Sequence, residues 1–373
     1  MRLKSCIGSL LLTLMLCSCN SWLDIDLINQ SEESDLFSTE RGFSEALAGV
    51  YCDIAASNMY GQTLSFGMLD IMSRIYDYSQ IPNKMKIFRD YNYEDKDMKA
   101  YIYALWCSFY ANIASLNNIL EWSERNASVL SDERRDQVRG EALALRGMLH
   151  FDIYRLFAAD IKLDKTSRIL PYQTDFGVKT PPVYATGDYL DLVVRDLEDA
   201  IKYLENDPIM KITPYELGNG DGENKDQSDL YVARMNYYAA KALLARVYLN
   251  MGGEKVKEAR RLAEEGIDCG KFALVNYEKS LNTDEANKDL LFSDEHIFSL
   301  RGQNVKSDAE GVHKQITGTD GNVQMASGYQ SILYLGDLED YRLNWYKSFY
   351  IIKYTSDNSE RFFPKMPMIR LSE

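Results

Sequence analysis

Ala239-Ala240-Lys241-Ala242-Leu243-Leu244-Ala245-Arg246-Val247-Tyr248-Leu249 decides the fold. Together with Met235 it predicts one helix, and small alanines let a second helix approach closely. Gly252-Gly253 then turns the chain. Val256, Ala259, Leu262, Ala263 and Ile267 predict the second helix, and Gly270 stands where a C-terminal cap belongs. The unit 231–268 is an αα-hairpin of about the length of a tetratricopeptide repeat.

The same periodicity continues upstream. Phe43, Leu47, Val50, Tyr51 and Ile54 share one helix face, and Leu105, Phe109, Ile113, Leu116 and Leu120 share another. Ser131 can cap a helix carrying Val138, Ala142, Leu145, Leu149, Ile153 and Leu156. Pro181-Pro182 interrupts the pattern, which resumes after Thr186 with Leu190, Val193, Leu197, Ile201 and Leu204. Residues 206–229 read as a polar loop. Downstream of Lys271 the periodicity fades. Phe298 and Leu300, and again 349–352, suggest short strands, whereas 302–345 suggests neither helix nor strand, and 367–373 looks like the beginning of a helix. The fold expected is mainly α, with tetratricopeptide-like hairpins, irregular loop-rich insertions and a few short strands.

At the N-terminus, Arg2 and Lys4 precede an apolar run, Ile7 to Leu16, and Leu16-Cys17-Ser18-Cys19 closes it. This is a secretory signal whose ending is similar to a bacterial lipobox. It predicts a signal peptide at 1–18, cleavage before Cys19 and acylation of Cys19. A plain signal with an incidental cysteine is the alternative. An extended leader, Asn20 to Leu36, would follow, and no later stretch approaches ~20 apolar residues.

The formal charge of −14 argues against nucleic acid and against an anionic membrane bound through the protein surface, leaving that contact to the lipid. Cys52, Cys107 and Cys269, which form no CxxC pattern, read as small buried thiols. The 26 tyrosines suit a ligand- or partner-binding surface, and equally a stiff helical core.

Several segments together resemble the SusD/RagB family of nutrient-uptake outer-membrane lipoproteins of Bacteroidetes. They are Cys19-Asn20-Ser21-Trp22-Leu23-Asp24, Phe43 to Tyr51, Trp106 to Tyr110 with Ile113, Asn117, Asn118 and Leu120, Glu141 to Gly147 with Phe151 to Phe157, Asp196 to Ile201, and Ala239 to Leu249. The resemblance implies one α-helical domain over 19–373 and lipid anchoring at the outer membrane, facing the cell surface. It also implies a SusC-like TonB-dependent channel as partner, an oligosaccharide or sometimes a peptide as ligand, and no catalysis. Pro367-Met368-Ile369-Arg370-Leu371-Ser372-Glu373 matches a motif beyond which family members usually continue, so the chain is expected to lack the usual C-terminal portion. Ligand residues in the family lie on variable loops and none transfers by name.

Sugar recognition needs flat aromatic faces and planar polar groups. Two segments offer both: Arg74 to Gln80, with Tyr76 and Tyr78, and Gln324 to Trp345, with Tyr329, Gln330, Tyr334 and Trp345. Packing against the scaffold is the competing role for each. Asn219 to Asn224 fails the EF-hand spacing, and His150, His296 and His313 are isolated, so neither a metal nor another cofactor is expected. His150, beside Phe151, reads as a packing residue. No GxSxG, HExxH or phosphate loop occurs, and carboxylate pairs such as Asp337 and Asp340 are ordinary in an acidic chain. A tetratricopeptide-like envelope adaptor that binds only proteins or peptides is the alternative function.

Overall fold

A computed structural model describes residues 33–212, 231–276, 278, 289–313, 323–334, 336–337, 339–347, 350–354 and 365–373. The signal peptide, Cys19, most of the polar loop and the Asn219–Asn224 segment lie outside the described residues.

Helix α1 (Glu40–Ile54) starts where the Thr39 hydroxyl accepts from the Gly42 amide at 3.1 Å. Asp95 caps α2 (Lys96–Arg125), and Ser131 caps α3 (Asp132–Phe157) by accepting from the Arg134 amide. After an excursion comes α4 (Thr186–Tyr203), then α5 (Tyr237–Met251), capped by Asn236, and α6 (Lys255–Asp268). Each packs on the next: α1 on α2, α2 on α3, α3 on α4, α4 on α5, α5 on α6. This is the nearest-neighbour stacking of a helical-repeat scaffold. The turn between α5 and α6 uses Gly252 (φ 73°) and Gly253 (φ 59°), conformations that cost an L side chain roughly 1–2 kcal/mol. At the crossing of α3 and α4, a Cβ on Gly140 would lie 2.5 Å from Leu204 Cγ, so the absence of a side chain sets the approach.

Helix α3 is buried on nearly every side from Gly140 to Tyr154, including Glu141, Arg146, His150 and Asp152. Buried polar groups need partners, and each of these has one on a neighbouring segment. Glu141 accepts from Tyr51 (3.0 Å) and from Arg234 (3.2 Å). Arg146 donates to both oxygens of Asp196 at 2.7 Å and to Asn117 at 2.7 Å. His150 contacts the Tyr189 hydroxyl at 2.8 Å and stacks on Tyr172 at 3.8 Å. Asp152 accepts from Tyr60 and Arg155. Burial, then the nearby Arg146 charge, lowers the His150 pKa to about 3, so the ring is neutral and serves packing.

Two-stranded antiparallel pairs decorate the array. Strands β1 (Arg168–Pro171) and β2 (Val183–Ala185) make a hairpin around the diproline. Strand β3 (His296–Arg301) is buried along most of its length. Strands β4 (Tyr346–Lys347) and β5 (Tyr350–Ile351) pair with each other, and β6 (Lys365–Arg370) pairs with β3. One core cluster runs from Phe37 to Ile369.

Four expectations are corrected. Residues 305–313 form a helix, α7 (Val305–His313), whose buried Val305, Ala309, Val312 and His313 are spaced for one face. The polar residues between them hid that stripe. The C-terminal residues extend as β6 instead of starting a helix, because β3 offers an open buried edge. Its pairing also places Pro367 opposite Ser299. Cys52 and Cys107 fall off the buried faces of α1 and α2 and are exposed, and Cys269, the residue after α6, is half-buried against the core. The end of the leader, residues 33–36, is helical and delivers Phe37 into the core against Trp122, 5.5 Å away.

Candidate functional site

Between α1 and α2 the chain leaves the helical array for some forty residues, and this excursion carries the first sequence-predicted segment. A five-residue helix, Met68–Met72, is followed by Ser73 and then by Arg74, which takes a left-handed φ of 63°. Tyr91, the second non-glycine residue here with positive φ (51°), lies under the Arg74 guanidinium at 4.7 Å. Two strained residues in mutual contact mark a place where the surroundings over-determine the backbone. The Tyr91 hydroxyl donates to the Met72 carbonyl at 2.5 Å, which closes the excursion on itself.

Tyr78 is 44% exposed. Its hydroxyl donates to Asp90 at 3.0 Å, and Lys86 lies over its ring at 4.9 Å. An exposed cation–π contact of this kind contributes only about 0.5–1 kcal/mol, so a ligand ring can displace the flexible lysine. The hydrogen bond to Asp90 holds the Tyr78 hydroxyl above its ordinary pKa, so it remains a donor at neutral pH. Tyr91, Tyr93 and Tyr101 are also exposed, and Tyr101 packs edge-on against buried Phe88 at 5.1 Å. The surface therefore combines ring faces with Arg74, Lys86 and Asp90 as polar partners. Such a set can bind a polyhydroxylated ring and contains no nucleophile with an adjacent base.

The two sequence-predicted segments meet, although some 250 residues separate them. Tyr76 forms a β-bridge with Met325. The Asp77 amide donates to the Gln324 carbonyl at 2.8 Å, and the Ala326 amide to the Ile75 carbonyl at 3.0 Å.

The individual residues differ in what they leave open. Tyr76 is 2% exposed, with its hydroxyl bonded to Asp70, and is a core residue holding the two segments together. Burial, its largest influence, raises the Asp70 pKa to about 6. Tyr334 is buried, shares a 3.0 Å hydrogen bond with the Tyr346 hydroxyl and lies beneath Arg342. Trp345 donates its indole N–H to the Leu290 carbonyl at 2.7 Å and has Phe292 at 5.1 Å and Lys353 at 4.1 Å against its ring. Tyr329 is half-buried against the core, and the Gln330 side chain lies outside the described residues. Of the five tyrosines and tryptophans named from sequence, Tyr78 alone is exposed, with Lys86 and Arg89 over its ring. Tyr91, Tyr93 and Tyr101 were missed. The available signal was the Tyr-x-Tyr spacing at 91–93 and 101–103, off the apolar stripe of α2. Among the described residues, no three His, Cys, Asp or Glu side chains are grouped to hold a metal ion, and no helix is long and apolar enough to cross a membrane.

A family model described as starch-binding, associating with the outer membrane (SusD-like), matches residues 21–215. No curated protein matches the chain. Among solved structures, a SusD superfamily protein from Bacteroides thetaiotaomicron is 22% identical, with a TM-score of 0.68 over 90% of this chain and 74% of that one. A putative sugar binding protein from Bacteroides vulgatus is 20% identical, with a TM-score of 0.59 over 90% of this chain and 72% of that one. A SusD homolog from B. thetaiotaomicron is 19% identical, with a TM-score of 0.57 over 82% of this chain and 57% of that one. At these identities the likeness is one of fold.

Proposed function

Because this chain belongs to the SusD-like family, we propose that it is a glycan-capture protein of the outer membrane, working without catalysis. The observation that carries the reading is the exposure of Tyr78, and of Tyr91 beneath Arg74, on an excursion that the Tyr76–Met325 bridge ties to the second loop segment. Stacking on pyranose faces and hydrogen bonds from Arg74 and Lys86 would retain an oligosaccharide. Acyl chains on Cys19 would tether residues 19–373, as one domain, to the membrane at the cell surface, each buried methylene contributing about 0.8 kcal/mol. A SusC-like TonB-dependent channel would receive the ligand.

Native affinity electrophoresis of the full chain against a polysaccharide panel tests the binding. Retardation by one glycan is expected. Tyr78→Ala with Tyr91→Ala should abolish it while the helical circular dichroism is unchanged. Retardation that survives both substitutions would remove the two tyrosines from the site. A folded chain retarded by no glycan would favour the protein-only adaptor, which the stacked hairpins alone would also suit. For the anchor, Cys19→Ala should move the protein from the membrane to the soluble fraction, and unchanged fractionation would refute acylation there.

A further inference from the structure

Helix α6 carries two apolar seams, and the array uses one of them. Ala259 and Leu262 are buried, and α5 is the main neighbour of the helix. Val256, Ala263 and Ile267 are exposed, Val256 at 41% and Ile267 at 57%. With Arg260 among them these residues are spaced four, three and four apart, so they form one stripe with the alternation of a coiled-coil seam. The stripe lies roughly a quarter turn round the helix from the buried pair. Single exposed apolar residues are ordinary, but packing within the chain does not account for a second regular seam.

Charge selects what the stripe fits. Lys255 and Lys257 stand at the N-terminal end of α6, and its last turn carries Glu265 and Asp268 but no basic residue. That order runs against the helix dipole. The exposed Arg260–Glu264 pair also has its cation N-terminal, the weaker order at this spacing. The pattern is unfavourable within one chain and complementary to itself when reversed. An antiparallel copy of α6 puts Val256 opposite the partner's Ile267. Arg260 then lies opposite the partner's Ala263, whose small side chain leaves room for the guanidinium. Lys257 and Glu264, seven residues apart on one flank of the stripe, fall opposite the partner's Glu264 and the partner's Lys257. Glu254 pairs with Lys257 and Arg260 with Glu264 within the chain, so the charges across the seam alternate in sign. A parallel copy would set lysine on lysine and glutamate on glutamate. The other charged groups of this region lie elsewhere on the circumference or are engaged: Arg261 pairs with Glu258 and Glu265, Glu265 also with Lys241, Lys255 covers the Tyr248 ring at 4.7 Å, and Lys271 donates to the Met210 and Ile212 carbonyls. Asp268 lies beyond Glu264, on the side away from the stripe. We propose that α6 is a self-association seam, through which two copies of this chain pair as a two-fold symmetric, antiparallel helix dimer. A helix of 14 residues is about 21 Å long, so the contact is small and of the transient class.

The full chain carrying Cys19→Ala, and so no acyl group, is taken through sedimentation equilibrium from micromolar to near-millimolar protein. Reductant is present because Cys52 and Cys107 are exposed. The mass should rise from one chain to two. Val256→Ser with Ile267→Ser should weaken the dimer by about tenfold or more. Lys257→Glu should weaken it several-fold, and Lys257→Glu with Glu264→Lys should restore it, because the swapped charges again meet their opposites in the antiparallel copy. All four positions are exposed, so thermal melts should be unchanged. Glycan retardation should be unchanged too, so the seam and the glycan site are tested separately. A monomer at every concentration, a dimer equally strong in the serine variant, or a loss in Lys257→Glu that the second substitution does not restore would each overturn the proposal.

Discussion

Arg146 and Asp196 meet through two N–H···O bonds of 2.7 Å, with the side chains 7% and 3% exposed. A pair so buried gives little net stability over apolar packing, but losing one partner strands the other charge. Arg146→Met should therefore cost about 3–5 kcal/mol in urea titration, and a cost under about 1 kcal/mol would mean that Asp196 is rescued by water. Tyr76 and Tyr78 were equivalent as sequence and are opposite as structure. Tyr76→Ala should cost roughly 3–5 kcal/mol. Tyr78→Ala should stay within about 0.5 kcal/mol while removing glycan binding. Equal stabilities would contradict their placement. The histidines set a pH dependence. Burial lowers His150 and His296 from 6.5 to about 3 and His313 to about 4, so the unfolded chain takes up their protons first. Their contribution is complete above pH 6.5 and falls as the pH drops toward 4. Asp70, raised from 3.8 to about 6, opposes them, since the fold holds its proton more tightly. Glu141 and Asp289, raised by burial, act in the same sense as Asp70, but the three histidines begin to lose stability at the higher pH, so Tm should decline from pH 7 to 4.5, and more steeply in Asp70→Asn. A flat profile would show that these groups do not govern acid stability.

At the scale of elements, the caps at Ser131 and Asn236 and the turn at Gly252 are local chemistry, and the hairpin of α5 and α6 follows from them. Gly252→Ala should cost about 1–2 kcal/mol by chemical denaturation, because φ 73° is left-handed; an unchanged midpoint would mean that the turn relaxes. Helix α7 and strand β6 were not legible in the same way. Short apolar runs do not distinguish strand from helix by period, and the neighbour that decides is distant in sequence. For β6 that neighbour is β3. For α7 it is the aromatic cluster of Phe66 and Tyr76, which receives His313.

Across the whole molecule, the C-terminal residues close the array. Arg246 of α5 donates to the Met368 carbonyl at 3.2 Å and pairs with Glu373, while β6 covers β3. Deleting residues 365–373 should expose Phe298 and Leu300 and remove amide-exchange protection from 296–301, with protection in α2 and α3 retained. Persistent protection of β3 would mean that another segment covers it. The stack of α1 to α6 tolerates such local loss because each helix depends mainly on its neighbours.

Sequence by itself determined the helical hairpins and their order, because a period of 3.6, an alanine seam and a glycine turn are properties of adjacent residues. The same is true of the family resemblance, which is a matter of motif order. Only the tertiary structure decided which tyrosines are core and which are surface, since Tyr76 is buried against His313, brought from across the chain, and Tyr78 is not. It also decided that Glu141, Arg146, His150 and Asp152 are interior residues. A polar side chain is stable there only when a partner is brought to it, and those partners, from Tyr51 to Arg234, are supplied by the fold.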